Sequence, residues 1–126
     1  MNEVIKIRLS EQVQLDQGRL GLLYTQLGDA GAESVVCRAM EELAVRLSQC
    51  ETLWRNNNQT QLRKHARSLI AISDQIGMDK LAQISSDVTH AIDAQDDVAI
   101  AATLSRLLRI GEKSLAAIWI MDDLSL

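Results

Sequence analysis

Residues 66–81 read ARSLIAISDQIGMDKL, and this pattern predicts a helix, a turn and the start of a second helix. Gly77 is suited to end the first helix, because glycine readily adopts the left-handed conformation that follows a helix C-terminus. Spacings of three and four residues define the inner stripe of that helix, which consists of Leu62, Ala66, Leu69, Ser73 and Ile76. The stretch therefore indicates an amphipathic helix with one face in a core and the other face outward.

The same periodicity extends in both directions along the chain. The helix after Gly77 has the inner stripe Met78, Leu81, Ser85, Val88 and Ile92. A long helix from about residue 31 to residue 55 has the buried face Val36, Met40, Leu43, Leu47, Cys50 and Trp54. The last helix has the inner stripe Ala101, Leu104, Leu108, Gly111, Leu115 and Ile118. A shorter helix is expected to begin near Leu20 and to stop at Gly28.

Short polar links separate these helices. Asn58 is predicted to cap the helix that starts at Gln59, with Gln61 in the capping-box position. The turn Gln95-Asp96-Asp97 supplies N-cap candidates for the last helix. The sequence therefore predicts one all-α domain over residues 1–126, an up-and-down antiparallel four-helix bundle with an additional short N-terminal helix or arm. Residues 1–19 would form the arm and the start of the first helix, and residues 20–126 the bundle core.

Composition narrows the possible classes of function. The chain has 17 acidic and 13 basic residues and a net charge of −4, whereas general nucleic-acid binders rely on clustered positive charge. No apolar run reaches the roughly 18–20 residues of a membrane span, so we expect no membrane insertion and a cytoplasmic location. Cys37 and Cys50 are interpreted as small buried hydrophobic residues. No metal-ligand spacing, cofactor motif or catalytic triad is recognisable, so binding is expected rather than catalysis.

The stretch after His65 resembles the central motif of histidine-containing phosphotransfer (HPt) domains, A-H-x-L-K-G-[SA]-[SA]-x-x-[LI]-G. The chain reads Ala-Arg-Ser-Leu-Ile-Ala-Ile-Ser-Asp-Gln-Ile-Gly over residues 66–77. Matching positions are Ala66, Leu69, Ser73, Ile76 and Gly77, followed by the downstream Leu81. The resemblance covers roughly Leu20 to Trp119, and it implies an HPt-like bundle in a two-component phosphorelay, the signalling chain that links histidine kinases to response regulators.

Three departures from the motif concern its chemistry. Arg67 stands where the family has its phosphorylated histidine, Ile70 where it has a lysine, and Ala71 where it has a glycine. A guanidinium stays protonated at physiological pH and is no useful phosphoryl acceptor, whereas imidazole has a neutral nitrogen near pH 7. The resemblance therefore implies a degenerate, pseudo-phosphotransfer member that keeps the frame without the usual phosphoacceptor.

Two histidines leave an active phosphotransfer protein open as an alternative. His65 is two residues from Arg67, which is about 200° of rotation on a helix, so the two side chains point in nearly opposite directions. His65 is accordingly interpreted as a residue at the edge of the core and as a less favoured phosphoacceptor. His90 lies opposite the inner stripe of its own helix and is interpreted as an ordinary surface histidine.

The outward face of the central helix is the predicted partner-binding surface. It consists of Arg63, Arg67, Ile70, Ala71 and Asp74, hereafter the docking face. An exposed isoleucine beside a small alanine, with charged residues around them, fits the centre and rim of a small interface. The expected partner is the receiver domain of a response regulator, whose acidic pocket Arg67 would contact, or a histidine kinase.

A helical oligomerisation or scaffold module is the remaining alternative. The apolar N-terminal arm around Val4-Ile5-Lys6-Ile7-Arg8-Leu9, or the C-terminal segment Ile118-Trp119-Ile120-Met121, would then supply a homodimer surface.

Overall fold

A computed structural model describes the backbone of residues 17–125 and the side chains of residues 18–117. It contains four helices: α1 spans Gln17–Arg55, α2 Gln59–Gln75, α3 Asp79–Asp93 and α4 Asp97–Ser125. No strand occurs in this range, so the all-helical prediction is confirmed. The predicted dimer segments, residues 4–9 and the side chains of residues 118–121, lie outside the described part of the chain.

Consecutive helices pack against each other, and α1 also packs against α4, so that the four helices form a bundle around one core. The inner stripes predicted for α2 and α3 are confirmed, since all ten of their residues are buried. The core of α1 is formed by Ala39, Met40, Leu43, Leu47 and Cys50. This arrangement leaves the opposite side of α2 facing solvent, where the candidate site lies.

The α2–α3 connection is a tight Schellman turn centred on Gly77. The amide of Met78 donates to the carbonyl of Ser73 at 2.8 Å, and the amide of Gly77 donates to the carbonyl of Asp74 at 3.2 Å. Gly77 has φ 75°, the left-handed conformation that this motif requires. The predicted end of the central helix is therefore confirmed, and α3 folds back beside α2.

The α1–α2 and α3–α4 links form the same type of turn, although neither contains glycine. Asn57 and Gln95 take the left-handed position with φ 57° and 55°. Each following helix is then capped by a side chain: Asn58 Oδ1 accepts from the amide of Gln61 at 3.2 Å, and Asp96 Oδ1 accepts from the amide of Ala99 at 3.0 Å. The caps predicted at Asn58 and in the turn 95–97 are confirmed.

Gly28 divides α1 into two parts. Its φ of 74° and ψ of 171° are not helical, and this combination is essentially restricted to glycine. The predicted stop at Gly28 is confirmed, and residues 17–27 form a short helical piece before the long helix, hereafter the N-terminal segment. Leu20 in this segment packs against the core. Leu22 is 59% exposed on its other side.

The structure corrects the inner stripe of α4. The buried positions are Ile100, Leu104, Leu107, Gly111, Ser114 and Ala117, whereas Ala101, Leu108 and Leu115 are only half-buried. The helix is thus rotated from the predicted orientation toward its other apolar edge. A Cβ on Gly111 would lie 2.5 Å from Leu47 Cδ1, so α4 approaches α1 closely at this glycine.

Two predictions for α1 were wrong. Trp54 is 41% exposed instead of buried, because it lies in the last turn of α1, beyond the last α1 residue of the core. Cys37 is exposed, whereas Cys50 is fully buried. Burial raises the pKa of the Cys50 thiol to about 11, so this thiol is chemically inert at neutral pH.

Within the described part of the chain, no helix combines the length and the apolar character needed to cross a lipid bilayer.

Candidate functional site

Arg67 lies at the middle of α2 and points into solvent. It makes no hydrogen bond and no ion pair with any described residue. Ala71, one turn further along the helix, is also exposed and adds no bulk beside the guanidinium. Arg67 is therefore a cation that the protein presents without neutralising it by direct contact, which leaves its planar fork of donors available to a partner.

Arg63 lies on the same face but is held by a neighbouring helix. Its Nε donates to Asp93 Oδ1 at 2.7 Å and its Nη2 to Asp93 Oδ2 at 3.0 Å, a bidentate pair between α2 and α3. The hydrogen bond from Arg63 lowers the pKa of Asp93, and the bond to Asp93 raises the pKa of Arg63. Arg63 is thus held in place at the edge of the docking face, and its guanidinium is already paired, unlike that of Arg67.

The same pair fixes how α2 and α3 lie against each other. Arg63 and Asp93 are 30 residues apart in the chain, and Met78 in the turn is midway between them. Positions at equal distances from this turn therefore lie level with each other, which brings Arg67 level with Thr89, the residue before His90. The charges of His90 and Arg67 both act on Asp93 and contribute to lowering its pKa. His90 is exposed, as predicted. The charged surface around Arg67 consequently extends from α2 onto α3.

Ile70 departs from the prediction. It is half-buried, not exposed, because a helix rotates about 100° per residue and Ile70 is turned about 60° from Arg67 toward α3. Its side chain therefore lies at the groove between the two helices. The apolar centre of the docking face is smaller than expected, and Arg67 and Ala71 form its most accessible part.

Asp74 lies at the C-terminal end of the docking face and contacts the N-terminal segment. Arg19 Nη1 donates to the backbone carbonyl of Asp74 at 2.8 Å and lies 3.5 Å from its Oδ1. The same nitrogen is 3.4 Å from Asp79 Oδ1, in the first turn of α3. One guanidinium therefore bridges the two carboxylates on either side of the Gly77 turn. Asp74 is exposed, but its carbonyl and carboxylate are already in contact with Arg19 of the N-terminal segment.

His65 lies on the other flank of α2, against α1. It is half-buried, as predicted, and Arg46 Nη1 donates to its Nδ1 at 3.1 Å. Because arginine has no acceptor, Nδ1 must be the lone-pair nitrogen and Nε2 must carry the hydrogen. Burial, followed by the charge of Arg46, lowers the pKa of His65, so its imidazole is neutral at pH 7. Its one lone pair is already engaged, which does not favour a phosphoacceptor role.

Two surface depressions lie away from the docking face. A groove of about 370 Å³ between α1 and α2 is lined by Val45, Arg46 and His65, with carboxylates of Glu41 and Glu42 beside them. A cleft of about 550 Å³ lies at the end of the bundle near Trp54. The described residues contain no group of three or more His, Cys, Asp or Glu side chains that would hold a metal ion. Neither depression collects a recognisable set of reactive groups.

Sequence reasoning missed two residues of this surface, Arg19 and Asp93. They come from elements 55 and 30 residues away from their partners in α2. Asp93 could have been found from the sequence, because in a helical hairpin centred on Met78 it falls opposite Arg63. No sequence signal identifies Arg19 as part of this surface, since its position depends on the direction that the chain takes at Gly28.

No protein-family model, no curated protein and no solved structure matches this chain.

Proposed function

We propose that this chain is a degenerate HPt-like signalling module. It docks the receiver domain of a response regulator, or a histidine kinase, in a two-component phosphorelay without itself carrying phosphate. The observation that carries the proposal is Arg67, an exposed and unpaired cation at the middle of α2, in the position where the resembled motif has its phosphohistidine. The proposed fold identity is the up-and-down, antiparallel HPt-type bundle, and the proposed location is the cytoplasm.

The contacts around Arg67 support a binding role. Arg63 is fixed to Asp93, so this charged end of the docking face is ordered before a partner arrives, whereas Asp74 at the other end is in contact with Arg19. Ala71 beside Arg67 is exposed and small, which allows a partner to approach the guanidinium closely. An acidic pocket in the partner would then form a charge-assisted ion pair with Arg67, and preordered surroundings reduce the entropy lost on binding.

A binding titration against the receiver domains and histidine kinases of the source organism tests the proposal. We expect at least one of them to bind, and Arg67→Glu to weaken that binding at least about tenfold, because it replaces an attractive charge pair by a repulsive one. Arg109→Glu is the matched control, since Arg109 is an exposed arginine of α4 far along the chain from the docking face. Binding that is absent, or equally affected by both variants, would refute the proposal.

The phosphotransfer alternative is tested by gain of function. The wild-type chain should remain unlabelled after incubation with a phosphorylated receiver that binds it. Arg67→His, combined with Ile70→Lys and Ala71→Gly, should acquire acid-labile phosphate, because these changes restore the histidine, lysine and glycine of the resembled motif. Labelling of the wild type that is lost on His65→Gln or His90→Gln would show an active phosphotransfer protein instead.

A further inference from the structure

We infer that the N-terminal segment, residues 17–27, is a latch that partly covers the docking face and must open before a partner can occupy its Asp74 end. This inference deepens the proposed function and rests on it. It concerns the regulation of that site, not the identity of the partner.

Arg19 connects the latch to the docking face, and Leu20 packs the same segment against the core. Arg19 Nη1 donates to the carbonyl of Asp74 at 2.8 Å and bridges the carboxylates of Asp74 and Asp79 at 3.5 and 3.4 Å. All three side chains are about half exposed. Contacts of this kind are weak individually and are screened by salt, so the closed state is only moderately favoured. A latch of this strength can be displaced by a partner of ordinary affinity.

The hinge of the latch is Gly28. Its backbone leaves the helical region there, and a Cβ at this position would meet no atom within 4 Å, so nothing packs against the hinge. On the near side of the hinge, Leu20 packs against the core, which holds the segment in register. Rotation at one residue therefore moves the whole segment while the long part of α1 keeps its place in the bundle.

The latch contacts the docking face at Asp74. Asp74 belongs to the docking face, and its backbone and side chain both contact Arg19. Arg67 remains uncovered two turns away. A partner can therefore first contact Arg67 and then compete with Arg19 for the end of α2. The apparent affinity for a partner is proportional to the fraction of molecules in which the latch is open. Releasing the latch should therefore tighten binding.

Spin-label distance measurements test whether Arg19 holds the latch, independently of any partner. Labels are placed at Leu22→Cys and Gln83→Cys, which are exposed sites on the N-terminal segment and on α3, in a Cys37→Ser background. Cys50 is buried and stays unlabelled. We expect one narrow distance distribution that becomes broad and longer in Arg19→Gln and in Asp79→Asn. Arg55→Gln is the control, because it removes an exposed intrahelical ion pair from the same helix.

Receiver titrations with the same variants, without labels, test the regulation. Arg19→Gln and Asp79→Asn should bind about two- to tenfold more tightly than the wild type, and Arg55→Gln should not. An unchanged distance distribution overturns the latch whether or not a receiver binds. An altered distribution with unchanged affinity overturns its regulatory role alone. If the distribution opens but no receiver or kinase binds any variant, the proposed function fails and the regulatory inference falls with it.

Discussion

Ser73 and Ser85 form a natural pair for measuring what an unsatisfied buried hydroxyl costs this bundle. Both are fully buried on the inner stripes of adjacent helices. Ser85 Oγ donates to the carbonyl of Leu81 at 2.8 Å, whereas Ser73 Oγ has no hydrogen-bond partner among the described residues. Replacing each serine by alanine therefore removes the same group from two similar environments that differ in one hydrogen bond.

The expected magnitudes follow from that difference. An unsatisfied buried hydroxyl costs about 1–3 kcal/mol, and a satisfied one contributes about 1 kcal/mol. Alanine also has the higher helix propensity, by up to about 0.5 kcal/mol. Removal of the oxygen leaves a small void that offsets part of the gain. We therefore expect Ser73→Ala to raise the free energy of unfolding by about 1–2 kcal/mol and Ser85→Ala to change it by less than about 0.5 kcal/mol.

Urea denaturation followed by far-UV circular dichroism measures both values, and thermal melts should show Ser73→Ala about 3–6 °C above the wild type. The slope of the free energy with urea should be equal in all three proteins, because the surface exposed on unfolding is unchanged. Partner affinity should also be unaffected, since Ser73 faces the core below the docking face. A Ser73→Ala variant no more stable than Ser85→Ala would refute the reasoning.

Three further substitutions test other features of the fold. Gly111→Ala should lower the free energy of unfolding by up to about 2 kcal/mol in urea titrations. Its Cβ would lie 2.5 Å from Leu47 Cδ1, and overpacking of about 1–3 kcal/mol is offset by the roughly 1 kcal/mol that alanine gains in helix propensity. An increase would show that Leu47 moves aside at little cost. Gln95→Gly should raise the free energy of unfolding by about 0.5–1 kcal/mol, and with it the melting temperature. Glycine adopts the left-handed conformation at φ 55° without the steric strain of a side chain. A protonated His65 cannot accept from Arg46, and its pKa is lowered in the folded state, so the unfolded chain binds the proton more tightly. The stability that His65 contributes is thus present above its unfolded pKa of about 6.5 and is lost as pH falls toward its lower folded pKa. The free energies of unfolding at pH 5.5 and pH 7.5 should therefore differ more in the wild type than in His65→Gln. Equal differences in the two proteins would count against this role of His65.

The sequence predicted α2 and α3 well because each has only one apolar stripe. The other large apolar residues buried on these helices, Ile72 and Ile84, border that stripe, so one orientation buries most of the apolar surface. The helix ends were equally predictable, since Gly77, Asn58 and Asp96 act through their own backbone or through residues three or four positions away. Local chemistry determines such features wherever the helix lies.

Helix α4 was less predictable because it is apolar on more than one side. Leu108 is as hydrophobic as Leu107, and Ala101 is also apolar, so periodicity alone does not select between the two stripes. Gly111 belongs to both stripes, and the orientation is set by packing against the neighbouring helices, including the close approach of Leu47 from α1 at this glycine. A contact between two helices that are 64 positions apart at these residues is a property of the packed bundle and not of either helix.

The candidate site divides in the same way. The sequence alone determined that residues 66–77 form a helix ended by Gly77, and that Arg67 and Ala71 lie on its outward side, because these facts follow from helical periodicity. Only the tertiary structure decided which of the outward charges are free. Asp93 neutralises Arg63 from α3, and Arg19 reaches Asp74 from the N-terminal segment. Ion pairs between distant segments form only where folding brings those segments together, and here that process leaves Arg67 as the unpaired cation of the docking face.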